Sequence, residues 1–171
     1  AGPFFETYGA STDSQITYMN GEFYVRTRDG LNMANHPVVE VSWYGATAFG
    51  IYYGYQLPTS EQWEAVADYD GTFTYGCGPS IDPNDANYGD ANPLGLTSHP
   101  YTSPVGYYPA FGYGLCDMAG NVWEWTSTVS GSFLIVHSGD WGSLGVFSTV
   151  TSTSAHTPVY TASGVGFRVY R

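Results

Sequence analysis

Residues 115–125 read Leu-Cys-Asp-Met-Ala-Gly-Asn-Val-Trp-Glu-Trp and gather a thiol (Cys116), two carboxylates (Asp117, Glu124), a Gly-Asn pair and two indoles into one run. A thiol beside carboxylates is the material of a nucleophile or of a metal site. A surface loop has no need of two Trp, and a plain strand has no need of Asp and Glu beside them. The run therefore reads as a corner of the core with a polar duty. The other reactive types are dispersed. His36, His99, His137 and His156 stand at no metal-ligand spacing. Ser143, Ser148, His156 and Asp140 hold the side chains of a hydrolytic triad, but no G-x-S-x-G elbow surrounds either Ser, so strand surface is the better reading. Cys77 and Cys116 lie 39 residues apart, which is no zinc signature. They form one disulfide in an oxidising compartment or stay as two buried thiols. The bridge is the expectation carried forward.

Composition narrows the setting of this chemistry. The 171 residues carry 15 Asp and Glu against 4 Arg and no Lys, a formal net charge of −11. Such a chain cannot neutralise a run of phosphates, which excludes nucleic acid, and it is repelled by anionic membrane surfaces. No apolar run reaches the ~20 residues of a membrane span. Acidity and an Ala-Gly-Pro start fit a processed, secreted or cell-surface protein, or a binder of cations.

Several elements must position the run. Residues 16–26 alternate around Asn20-Gly21 and predict a hairpin with a type I′ turn. Residues 42–53 predict a helix capped by Ser42. Residues 59–68 predict a second helix, with Thr59 as N-cap and Gln62 completing a capping box. Residues 70–114 are rich in Gly, Pro, Asn, Asp and Tyr and keep no helical period. That is too long for an idle connector and predicts an ordered loop layer. Residues 132–137 and 164–170 predict strands, and Phe147–Thr153 has high strand propensity. The result is an α+β domain with small antiparallel sheets, two helices and much irregular structure. A hairpin-bearing segment, 1–35, precedes the main body, 36–171.

Seven pieces now stand in one order: HPVVEVSW (36–43), LPTSEQWEAVA (57–67), ANY (86–88), PVGYYP (104–109), FGYGLCDMAGNVWEW (111–125), SGDWGS (138–143) and GVGFR (164–168). That order resembles the formylglycine-generating enzyme (sulfatase-modifying factor) family, whose domain is a variant of the C-type lectin fold. The resemblance implies calcium at the opening run, with Asp117 and Glu124 bracketing the ion and the carbonyls of Gly120 and Val122 between them. Calcium takes several hard oxygens from irregular backbone. It implies a second calcium site at the Asn87 side chain and the Tyr88 carbonyl, with Asp90 misplaced and Thr97 near the position of the missing acid. It also implies that catalytic members carry a cysteine pair after the 138–143 motif, where this chain has Ser143 and Ser148. Hydroxyls do not replace thiolates in binding copper, so no copper and no oxidase activity are expected.

The family also begins with a strand upstream of HPV that pairs with the GFR strand. Here residues 3–8 must supply it, or the edge at 164–170 stays open to another chain. The expected function is a non-catalytic secreted module that self-associates through that edge in a filament or surface layer. The alternative is a ligand- or glycan-binding protein like the variable proteins of retroelements that share this fold, with Tyr52, Tyr53, Tyr55, Tyr107 and Tyr108 as stacking surfaces. A metal-dependent enzyme is the third.

Overall fold

The computed structural model describes residues 4, 6, 7 and 9–171. Strands β1 (Ile16–Met19) and β2 (Glu22–Val25) form the expected hairpin, and β3 (Thr27–Arg28) and β4 (Leu31–Asn32) form a second, shorter one. Asn20 and Gly21 both take positive φ, 54° and 87°, as a type I′ turn requires. Helix α1 (Trp43–Tyr53) starts where the Ser42 side chain accepts the Gly45 N–H, and it stops at Gly54 in the left-handed region. Helix α2 (Ser60–Ala67) starts on the full Thr59–Gln62 capping box.

The main sheet has four strands in the order β7-β6-β5-β8: β5 (Trp123–Ser130), β6 (Phe133–His137), β7 (Thr153–His156) and β8 (Val165–Phe167). β5–β6 and β6–β7 are antiparallel. β8 runs parallel to β5, so the sheet is mixed where antiparallel pairing was expected. The crossover is long enough for this, because the chain leaves β7 and returns at the far edge of the sheet. The strand expected at Phe147–Thr153 forms later. Gly145–Phe147 is a 3-10 turn and pairing begins at Thr153, where register with His137 becomes available. The strand expected over 164–170 ends at Phe167, and Tyr170 instead bonds Gln56.

The core lies between the sheet and α1. Val41, Ala46, Leu57, Trp125, Leu134, Val136 and Val165 form one buried cluster. Trp125 and Trp43 meet their polar needs with the carbonyls of Val41 and Thr126. A second cluster joins α2 to the opening run through Trp63, Ala67, Met118 and Val150.

The loop layer 70–114 contains no helix and no named strand. Its order comes from close backbone approach and buried amides. Asn121 holds Ser103 at both its N–H and its carbonyl, and Asn87 donates to the Tyr101 carbonyl. Gly120 (φ 72°) brings its backbone so near Asn87 that a Cβ there would lie 2.2 Å from the Asn87 carbonyl oxygen. The first hairpins attach to this layer through Gln15 and His36, which share the Thr102 hydroxyl at 3.1 and 2.9 Å.

Among the described residues of 3–8, the Phe4 carbonyl accepts from Ser42 and the Glu6 N–H donates to Glu40. These residues line the approach to α1. The part of the expected first strand that rests on residues 3, 5 and 8 lies outside the described residues. Among the described residues no helix is long and apolar enough to cross a membrane.

Candidate functional site

The parallel register sets Glu124 opposite Gly166, so Arg168, two residues further on, projects to the same side as Glu124. There the guanidinium grips the carboxylate in two places. Nε donates to Oε2 at 2.5 Å and Nη2 to Oε1 at 2.7 Å. Trp63 of α2 reaches in from the other side, its Nε1 donating to Oε2 at 2.7 Å. Arg168 Nη2 also donates to the carbonyls of Cys116 and Asp117, both at 3.2 Å. One side chain thus ties β8, β5 and the opening run together. Burial opposes the charge on Arg168, and Glu124 and then Asp117 outweigh that, so its pKa lies above the ordinary value.

Asp117 sits in the left-handed region (φ 57°) and accepts the Gly106 N–H on Oδ2 at 2.8 Å. Burial raises its pKa, opposed by the Gly106 N–H and by Arg168 and reinforced by Glu124. A cavity of about 350 Å³ opens here between Val105, Cys116, Asp117, Val122, Glu124 and Arg168.

The expected calcium ligands can be tested against this geometry. Asp117, Val122 and Glu124 do line one cavity. Glu124, however, already takes three donors, and the Gly120 carbonyl accepts from Ser138 Oγ and the Val122 N–H. The cation at the Glu124 carboxylate and at the carbonyls of Cys116 and Asp117 is Arg168. A calcium ion here would compete with Arg168 for the Glu124 carboxylate.

The second expected site fits no better. Asn87 is buried with Oδ1 unpartnered, a possible oxygen ligand, but the groups around it are the neutral Asn121 and Tyr101 carbonyl. The Tyr88 carbonyl takes the Ala91 N–H, Thr97 bonds Asp29 instead, and Asp90 lies by Gly142 and Asp140. Among the described residues no cluster of three His, Cys, Asp or Glu stands at metal-binding distance.

The disulfide expectation is corrected: Cys77 and Cys116 are free thiols. Cys77 packs with Ala86 and Ala119, while Cys116 borders the Arg168 cavity, so the fold sends the two thiols to different walls of the loop layer. Burial pushes the Cys77 thiol up to about 12, which keeps it protonated and inert.

Ser143 and Ser148 show no reactive geometry. Ser143 Oγ donates to Asp140 Oδ1 at 2.6 Å and accepts the Asp140 N–H, closing a local turn. Ser148 is fully buried beside Gly139. His156 stacks on Tyr160 at 4.1 Å and bonds Ser154, away from both.

Two side chains of this region were not singled out from the sequence. Arg168 was read only as part of a strand motif, although one of just four cations among fifteen carboxylates was the available signal. His137 gave no signal at all. It is fully buried, stacks on Trp63 at 4.7 Å and sets Nε2 2.5 Å from Ser60 Oγ and 3.7 Å from Glu64 Oε1. Burial pushes its pKa down to about 4, countered only in part by Glu124, the Val150 backbone and Glu61.

The sequence model of the sulfatase-modifying factor enzyme 1-like domain matches residues 4–171. A formylglycine-generating enzyme of Mycobacterium tuberculosis is 42% identical over 113 residues, covering 60% of this chain and 37% of the relative. An inactive Cα-formylglycine-generating enzyme 2 of Bos taurus is 33% identical over 151 residues, covering 77% and 49%. The chain thus spans between a third and a half of the length of these curated relatives. Among solved structures, Treponema denticola variable protein 1 superposes with a TM-score of 0.68 at 20% identity, covering 95% of this chain and 79% of that one. That likeness is one of fold.

Proposed function

The chain belongs to the sulfatase-modifying factor enzyme 1-like family, and from that premise we propose that it is a non-catalytic member, a structural module of an extracellular assembly. The observation that carries this is the state of Ser143 and Ser148, the positions where the resemblance places the cysteine pair of catalytic members. Ser143 is locked in a turn with Asp140, and Ser148 is sealed in the core. Neither hydroxyl can be a soft ligand for copper, and the free thiols Cys77 and Cys116 lie elsewhere. Inactive members of the family exist, as the bovine relative's name states. The acidic, Lys-free surface suits a secreted protein that must stay soluble until it meets its partner.

The test has two arms. A cysteine peptide derived from a sulfatase, incubated with the chain, copper and oxygen, is expected to gain no formylglycine by mass spectrometry. Turnover would end the non-catalytic reading. Analytical ultracentrifugation across concentrations is expected to show self-association.

The fold shared with a variable protein favours one second reading, a ligand-binding module. Exposed His99 and half-buried Tyr101 pack around the buried Trp141 with ring centroids 4.6–5.2 Å apart, and the two outer rings are where a sugar can stack. A glycan array with no binder counts against it.

A further inference from the structure

The geometry points to α1 as the face through which two copies of this chain pair, an inference that deepens the assembly reading above and names its surface. The eleven residues of α1, Trp43–Tyr53, contain no charged side chain, in a protein of net charge −11. A helix apolar on all sides belongs inside a structure. Only Ala46 and Gly50 of this one are buried. Tyr44 and Phe49 are each 42% exposed, Tyr53 57%, Ile51 76% and Tyr52 81%. Taking ~200 Å² for a large side chain, they leave roughly 600 Å² of aromatic and apolar surface uncovered on each copy. Tyr44, Ile51 and Tyr52 fall within about 100° of one another around the helix and give roughly 400 Å² of this to a single face, close to the apolar share of the ~800 Å² that each partner gives to a standard interface.

Charge selects the occupant. Two copies at −11 repel one another wherever their carboxylates face, and α1 itself carries none. A cationic partner would find no carboxylate on α1 to pair with. The helix is also shaped for its own copy. Tyr44, Ala48 and Tyr52 fall at i, i+4 and i+8 on one ridge, and Ala48 leaves a notch between two rings. About a two-fold axis, Tyr52 of each copy seats over Ala48 of the other, with the i±4 ridges crossing near −50°. Rigid aromatic anchors around a small residue are the composition of an interface centre.

Analytical ultracentrifugation of the chain, of Ile51→Glu with Tyr52→Glu, and of Val129→Glu as a control on an exposed apolar residue of β5 decides the matter. Thermal melts check that each variant is folded. The expected result is a concentration-dependent dimer whose Kd rises at least ~30-fold in the α1 double variant and is unchanged in the control. Assemblies indifferent to the α1 substitutions would overturn this face and leave the assembly reading standing. A wild-type chain that stays monomeric at high concentration would overturn both. A monomer that floats with neutral phosphatidylcholine vesicles, and ceases to in the double variant, would assign the helix to a lipid surface instead.

Discussion

Arg168 is the residue on which most of the corner depends. It joins the last strand to Glu124 and to the carbonyls of Cys116 and Asp117. Replacing it by Met leaves a carboxylate 6% exposed without its partner. The expected cost is about 3–5 kcal/mol, read by urea unfolding. Because the corner's cation is supplied by the chain, chelator and added calcium are expected to leave the wild-type melting temperature unchanged. A fall with chelator, restored by calcium but not magnesium, would restore calcium to the corner. His137 makes a pH prediction. Unfolded, it takes a proton near 6.5, and folded, near 4. As pH falls from about 6.5 toward 4 the unfolded chain binds a proton that the folded chain refuses, so stability is present above that window and lost within it. The unfolding free energy of wild type minus that of His137→Gln is expected to shrink by roughly 3 kcal/mol between pH 7 and 4. A difference that does not vary with pH would mean that protonation at this ring is not coupled to folding.

At the scale of elements, local rules were sufficient where they act within a few residues. Both helices begin where Ser42 and Thr59 place an acceptor, and the first hairpin turns where Asn20-Gly21 permits positive φ. Thr59→Ala removes the hydroxyl side of the capping box and is expected to cost about 1 kcal/mol of stability by chemical denaturation. Gly120→Ala is expected to cost more, because it strains φ and drives a methyl into the Asn87 carbonyl. The strand at Phe147–Thr153 failed as an expectation for a reason that propensity does not contain. A strand forms where a partner has a free edge, and β6 offers one only from Thr153 onward. The parallel β5–β8 pair was hidden in the same way, since direction depends on how the chain returns to the sheet.

For the whole molecule, charge and apolar surface act against each other. Fifteen carboxylates oppose the pairing of copies, and the uncovered side of α1, which carries no charge, favours the pairing proposed above. Salt screens the first and spares the second, so raising ionic strength is expected to lower the dimer Kd in sedimentation runs at increasing NaCl. Tighter association at low salt would mean that ion pairs, not α1, make the contact. The sequence alone determined the family, the two helices, the first hairpin and the loss of the cysteine pair, because each is written in residue type and short spacing. It could bring Asp117 and Glu124 together, seven residues apart, but not Arg168, 44 residues beyond Glu124. Only the tertiary structure decided that a guanidinium grips the Glu124 carboxylate, that Cys77 and Cys116 face different walls, and that α1 keeps an uncovered side. Each of those depends on which distant segment the fold carries to the place, and contacts between distant segments leave no mark in local spacing.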